Sequence, residues 1–226
     1  MSKKTKFKIA GLPKAQGLYN PVNEHDACGV GLVLDIKNRP SFDIVEKGLA
    51  MLCNLEHRGA VGADPKAGDG SGLLIQIPHK FLKKKVSNSF SIPKPGEYGV
   101  GVIFIPNNEN DEKKIKSLIE EVCIKEQINI LGWRLCPTYT KELGWSVLPS
   151  TPIVYQLFLE RPDNEKSQDD FEKKLYILRR CIEKEVLEIS NQIQEGFYIP
   201  SLSSRTILYK GMVLACLLYT SDAADE

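Results

Sequence analysis

Cys28 ends a loop-like leader and stands directly before Gly29 and the apolar, β-branched run GVGLVLDI. Free cysteines are among the residues most often buried as small hydrophobes, so a core position is the ordinary expectation. Three features favour chemistry instead. Residues 1–27 show no periodic pattern, a glycine flanks the thiol, and the thiol sits at the edge of the run rather than inside it. If the leader is removed, Cys28 carries a free α-amine beside its own thiol. An α-amino group titrates near pH ~7.7–8.0 and can take the thiol proton at neutral pH. The thiolate is then able to attack an amide carbonyl without a histidine. That economy suits a chain whose histidines are His25, His57 and His79.

Arg58 is the second candidate. Most arginines are surface residues or partners in ion pairs, but His57-Arg58-Gly59-Ala60 ends a helical pattern and opens a glycine-rich loop. There a guanidinium can reach a cleft, where its planar fork grips a carboxylate with two parallel hydrogen bonds. The third feature is Gly68-Asp69-Gly70-Ser71-Gly72. Taken alone it reads as tight-turn scaffolding, with glycines allowing close backbone approach and Asp69 anchoring the turn.

The elements that must hold these residues are strands and helices in mixed order. Gly29–Ile36 reads as a buried strand and Asn38-Arg39-Pro40 as a turn. Ser41 is placed to cap a helix running to about Leu55, with Phe42, Val45, Leu49 and Leu52 on one face. The glycine-rich stretch 56–72 follows, then a strand over Leu73–Ile77 and a short helix or turn over Pro78–Lys85. Further strands are expected at Val100–Ile105, Ile130–Leu135, Ile153–Leu159, Phe197–Ile199 and Thr206–Tyr209. Helices are expected at Glu112–Gln127 and Asp169–Ile189. Neither a dinucleotide-binding GxGxxG nor a phosphate-binding GxxxxGK[ST] follows a strand.

The 226 residues suffice for one large domain or two small ones. Hydrophobic residues at 42% and charged residues at 26% are ordinary for a globular protein. A net charge of +1 gives no electrostatic footprint for nucleic acid or an anionic membrane. The longest apolar runs fall far short of the ~20 residues of a membrane span. Six cysteines at 28, 53, 123, 136, 181 and 216 form no CxxC pair, so neither a disulfide framework nor a zinc or other metal site is expected. The first sixteen residues contain five lysines, no arginine and no apolar stretch of signal-peptide length, and a cytoplasmic location is expected.

Taken in order, ACGVG at 27–31, NLEHRGAVG at 54–62, GDGSG at 68–72 followed by LLIQIPH, and SLSSRTILYKGM at 201–212 resemble the class II glutamine amidotransferase domain of glutamate synthases. The resemblance runs from about Leu18 to Met212 and is weaker between Lys85 and Gln194. It implies an α+β fold, the four-layer αββα sandwich of N-terminal-nucleophile hydrolases. It implies that residues 1–27 are a propeptide, that Cys28 becomes residue one and attacks the γ-carboxamide of L-glutamine, and that Arg58 holds the α-carboxylate. No cofactor is implied for this chain. FMN and an iron–sulfur cluster are implied for the whole subunit, where ammonia aminates 2-oxoglutarate. Its implied partners are the remaining domains of that subunit and, in some forms, a small NAD(P)H-oxidising subunit.

Two departures accompany the resemblance. The family's RxSTN and NGE segments, which supply glutamine contacts and an oxyanion hole, do not follow Met212, so the domain over 28–215 is expected to be incomplete at its C-terminus. Residues 216–226, CLLYTSDAADE, resemble a translated sequencing adapter and are expected to be an artefact. Two other functions fit Cys28 alone: a different N-terminal-nucleophile amidase, and a non-catalytic module with the thiol buried. Arg58 separates the first from a glutaminase, because a free α-carboxylate needs a cation.

Overall fold

Caps and apolar spacing set the helices of the computed structural model, which describes residues 14–17, 29–55, 63–68, 70–189 and 196–214. Helix α1 spans Phe42–Asn54 and buries Gly48 and Leu49. Ser41 stands at its N-cap position in extended conformation, but its side chain makes no capping bond, contrary to expectation. Short helix α2 (His79–Val86) buries Leu82 and Val86. Helix α3 (Glu109–Lys125) is capped by Asn108, whose side chain accepts from the backbone N–H groups of Asn110 and Asp111. It buries Ile115, Ile119, Val122 and Cys123. Helix α4 (Gln168–Leu187) is capped by Ser167, which accepts from the Asp170 N–H, and buries Phe171, Leu175, Leu178, Ile182 and Val186.

The strands form two antiparallel sheets. Strands β3 (Ile130–Leu135), β4 (Ile153–Glu160), β2 (Tyr98–Ile105) and β5 (Tyr198–Ser203) lie in that order in a four-stranded sheet. Strands β1 (Ser71–Gln76) and β6 (Thr206–Gly211) pair in a second sheet, Ser71 opposite Gly211 and Ile75 opposite Ile207. The period of two divides the large sheet between two cores. Ile103, Ile105, Leu157 and Leu159 turn toward α3 and α4. Val100, Val102 and Phe158 face Ile207 and Tyr209 of the small sheet, with Leu82 and Val86 of α2 closing one end. This is the α+β sandwich expected: a helix pair, a four-stranded sheet and a two-stranded sheet, with α1 resting on β1 where Gly48 meets the Leu73 side chain.

The turn between β5 and β6 carries the chain from one sheet to the other. Glu172 of α4 grips it, its carboxylate accepting from the Ser203 hydroxyl at 3.0 Å, the Ser204 N–H at 2.5 Å and the Ser204 hydroxyl at 2.6 Å. Gln168 donates to the Ser204 carbonyl at 3.2 Å. A buried polar chain also crosses between the sheets: Arg134 donates to Gln156 at 2.8 Å, and Gln156 donates to the Tyr209 hydroxyl at 3.1 Å.

The expected strand over Gly29–Ile36 is corrected. Its residues up to Asp35 form no regular element and enter no ladder among the described residues. The segment instead lies along α1, with Gly31 so close to Met51 that a Cβ would fall 2.1 Å from the sulfur. Val30, Leu32, Leu34 and Ile36 consequently point outward, exposed to 90, 78, 60 and 94%. Beyond it, Asn38 accepts from the Gln76 amide at the end of β1 at 3.0 Å.

Candidate functional site

Cys28 and Arg58 both lie outside the described residues, as does Asp69. The described residues Gly29, next to Cys28, and Leu55, the last before the stretch with Arg58, lie together. Gly29, next to Cys28, lies against Leu55 at the end of α1, where an added Cβ would stand 3.0 Å from Leu55 Cδ2. Leu55 is three residues before Arg58. The last turn of α1 closes at Leu55, whose N–H bonds back to the Met51 and Leu52 carbonyls. The turn of α1 thus delivers the chain toward 56–62 from the point where the 29–35 segment begins.

The stretch resumes at 63–68 and enters β1 at Ser71. Its far end meets the end of β6, since a Cβ at Gly68 would lie 2.9 Å from the Val213 carbonyl oxygen. Gly70 takes φ +113°, a conformation open to glycine and strained for other residues. The Ser71 hydroxyl that follows is buried and has no hydrogen-bond partner among the described residues.

Asp64 anchors this stretch and was not among the sequence candidates. It is 4% exposed. Its carboxylate accepts from the Ser146 N–H at 2.8 Å, the Ser146 hydroxyl at 2.7 Å and the Lys66 N–H at 3.1 Å. These bonds, the Ser146 backbone N–H first, hold its carboxyl below the usual range against the opposing effect of burial. Gly144 permits the approach, for a Cβ there would fall 2.3 Å from Asp64 Oδ2. Lys66 adds an ion pair to Glu142 at 3.3 Å. A local signal for Asp64 was present: Asp-Pro-Lys initiates a turn in which the aspartate accepts from the N–H two residues on. Its partner, 82 positions away, left no signal.

Other thiols offer no competing centre among the described residues. Cys123 and Cys136 are buried, and burial pushes the Cys123 thiol up to about 12. Cys181 lies 3.9 Å from a Glu126 oxygen. His79 is engaged with the Tyr98 hydroxyl at 3.0 Å. No group of three His, Cys, Asp or Glu among the described residues is arranged to hold a metal ion. No helix among them is long and apolar enough to cross a membrane.

Two sheets face to face, with the flanks of a glycine-rich loop and of Cys28 meeting at one helix end, define an amidotransferase scaffold, and the chain belongs to the class-II glutamine amidotransferases, whose family profile matches residues 28–223. Within that class the chain is similar to glutamate synthases. It is 43% identical over 219 residues to the glutamate synthase (NADPH) large chain of Bacillus subtilis, covering 95% of this chain and 14% of that protein. It is 38% identical over 206 residues to the chloroplastic ferredoxin-dependent glutamate synthase of Oryza sativa subsp. japonica, covering 91% of this chain and 13% of that protein. Against the glutamate synthase (NADH) of Saccharomyces cerevisiae the identity is 36% over 220 residues, 92% of this chain and 10% of that protein. The chain therefore spans about a seventh or less of the length of these relatives.

Proposed function

We propose that this chain is the glutaminase portion of a glutamate synthase, with Cys28 as nucleophile and Arg58 as the clamp for the glutamine α-carboxylate. The observation that carries the reading is the family match, which begins at Cys28. The approach of Gly29 to Leu55 supports it, because the chain leads from there into both residues.

In this mechanism removal of residues 1–27 frees the α-amine of Cys28, which takes the thiol proton. The sulfur attacks the γ-carbonyl carbon, and collapse of the adduct breaks the C–N bond. The amine proton passes to the leaving nitrogen, releasing ammonia and a γ-glutamyl thioester. Water then cleaves the thioester, giving glutamate and restoring the thiol. Arg58 supplies a bidentate hold on the α-carboxylate that distinguishes glutamine from other amides.

The ammonia serves reductive amination of 2-oxoglutarate elsewhere in a longer protein. FMN and an iron–sulfur cluster belong to that remainder in this reading, which the likeness to glutamate synthases supports. A small NAD(P)H-oxidising subunit is a further partner in this reading, and the cytoplasm its location. The boundaries 1–27, 28–215 and 216–226 are likewise proposals, with residues 216–226 an artefact of sequencing; the family match extends through residue 223.

The test uses the longer protein. Mass spectrometry should find Cys28 at its amino terminus, and Cys28→Ser should abolish glutamine-dependent glutamate formation while ammonia-dependent formation persists. Glutamine-dependent activity that survives Cys28→Ser refutes the assignment.

A further inference from the structure

The β3–β4 connection, residues 136–152, has no part in the chemistry described so far, yet it holds the glycine-rich stretch through one buried carboxylate. Asp64 takes both the N–H and the hydroxyl of Ser146, at 2.8 and 2.7 Å, while bonding to the Lys66 N–H in its own turn. The Gly144 backbone closes over it and Lys66–Glu142 pairs outside. A carboxylate with three donors in a 4% exposed setting fixes position well, since it is directional and costly to leave unpaired. The stretch it fixes is consequential. Upstream lie the seven residues 56–62, which contain Arg58 and start from Leu55 beside Gly29. Downstream, Gly68 rests on Val213 and Leu214.

We infer that Asp64 is a positioning residue of the glutamine site, tying the stretch after Arg58 to the β3–β4 connection through Ser146. The inference rests on the function proposed above. Asp64 touches no substrate in this account. It fixes the chain downstream of Arg58, as the last turn of α1 fixes the chain upstream of it. Misplacement of a positioning group by about 1 Å can cost ~10²-fold in rate, and loss of this anchor should fall on glutamine alone.

Two measurements test this. On the chain itself, limited trypsin digestion reports the anchor, because Lys141 lies in the connection. Asp64→Ala should raise cleavage after Lys141 by about tenfold over wild type, in line with release of a locally held segment, whereas Asp64→Asn, which keeps an acceptor oxygen for Ser146, should stay close to wild type. In the longer protein, Asp64→Ala should lower kcat/KM for glutamine by about 10- to 100-fold and leave ammonia-dependent activity intact. Ser146→Ala should act in the same direction and add nothing further to Asp64→Ala. Glutamine kinetics unchanged by Asp64→Ala, with Cys28→Ser inactive toward glutamine, would overturn the positioning role and leave the glutaminase standing. Equal loss with glutamine and ammonia would overturn it too, by assigning Asp64 to general folding. Glutamine activity retained in Cys28→Ser would instead strike the underlying reading.

Discussion

Leu175→Ala and Gly99→Ala form a pair whose effects should have opposite sign depending on order. Leu175 is fully buried on α4 and packs on β2 at Gly99. A Cβ at Gly99 would stand 2.7 Å from Leu175 Cδ1, 3.1 Å from Cδ2 and 3.5 Å from Cγ. Those are the three atoms that Leu175→Ala removes. In the wild-type background Gly99→Ala forces the leucine off its place, an overpacking cost of about 1–3 kcal/mol. The gain of about 0.5–1 kcal/mol from replacing a glycine in a strand only partly offsets it. Leu175→Ala alone forfeits roughly 0.8 kcal/mol for each of three buried carbons, and the residual cavity brings the loss to about 3–4 kcal/mol.

In the double variant the clash is absent and the new methyl fills part of the hole. It should therefore be about 1 kcal/mol more stable than Leu175→Ala alone, a coupling of about 2–3 kcal/mol. Urea unfolding followed by far-ultraviolet circular dichroism reads all four corners, and an unchanged denaturant slope confirms that stability alone has moved. Effects that add to within about 0.5 kcal/mol would refute the contact between α4 and β2 as described.

Glu172→Ala should destabilise by about 3 kcal/mol, because the Ser203 and Ser204 hydroxyls and the Ser204 N–H lose a charged acceptor in a buried turn. Thermal melting should register a fall of roughly 6–12 °C, with Glu172→Gln intermediate. Partial burial, and secondarily the Lys83 charge, lower the pKa of His79 below its ordinary 6.5, so the folded state favours the neutral ring. Its contribution is present above about pH 6.5 and lost as pH falls through the folded value. The urea midpoint of the wild type should therefore drop more between about pH 7.5 and pH 5.5 than that of His79→Gln; parallel curves would count against this.

The helices were legible because their signals are local. Ile115, Ile119 and Val122 on α3, and the apolar rows of α4, repeat with helical spacing inside one window of sequence. The starts were less exact: α3 begins at Glu109, capped by Asn108 and three residues before the expected Glu112, since the charged first turn hid the apolar period. Strand locations were legible from composition, but not their order, because pairing β2 between β4 and β5 depends on residues far apart in the chain. Gly29–Ile36 shows the limit of propensity. Its residues suit a strand, and their placement along α1 was decided by the fit of Gly31 to Met51. The site was legible as a string of motifs, whereas the anchor at Asp64 was not, its Ser146 partner being remote in sequence.

That contrast follows from the chemistry proposed for Cys28. A nucleophile that draws its base from elsewhere in the fold needs two side chains oriented toward each other, and such a pair is invisible until the chain is folded. A nucleophile carrying its own amine needs the fold to present a chain end. Described residues in and between the motifs are held in place: Gly29 lies against Leu55 at the last turn of α1, Gly68 lies against Val213 just beyond β6, and Asp64 bonds to Ser146. The one described histidine, His79, bonds through Nδ1 to the Tyr98 hydroxyl. Motif order alone carries much of the proposed function, because in that proposal the reacting thiol and its base belong to one residue, whereas the Asp64–Ser146 tie joins segments 82 positions apart.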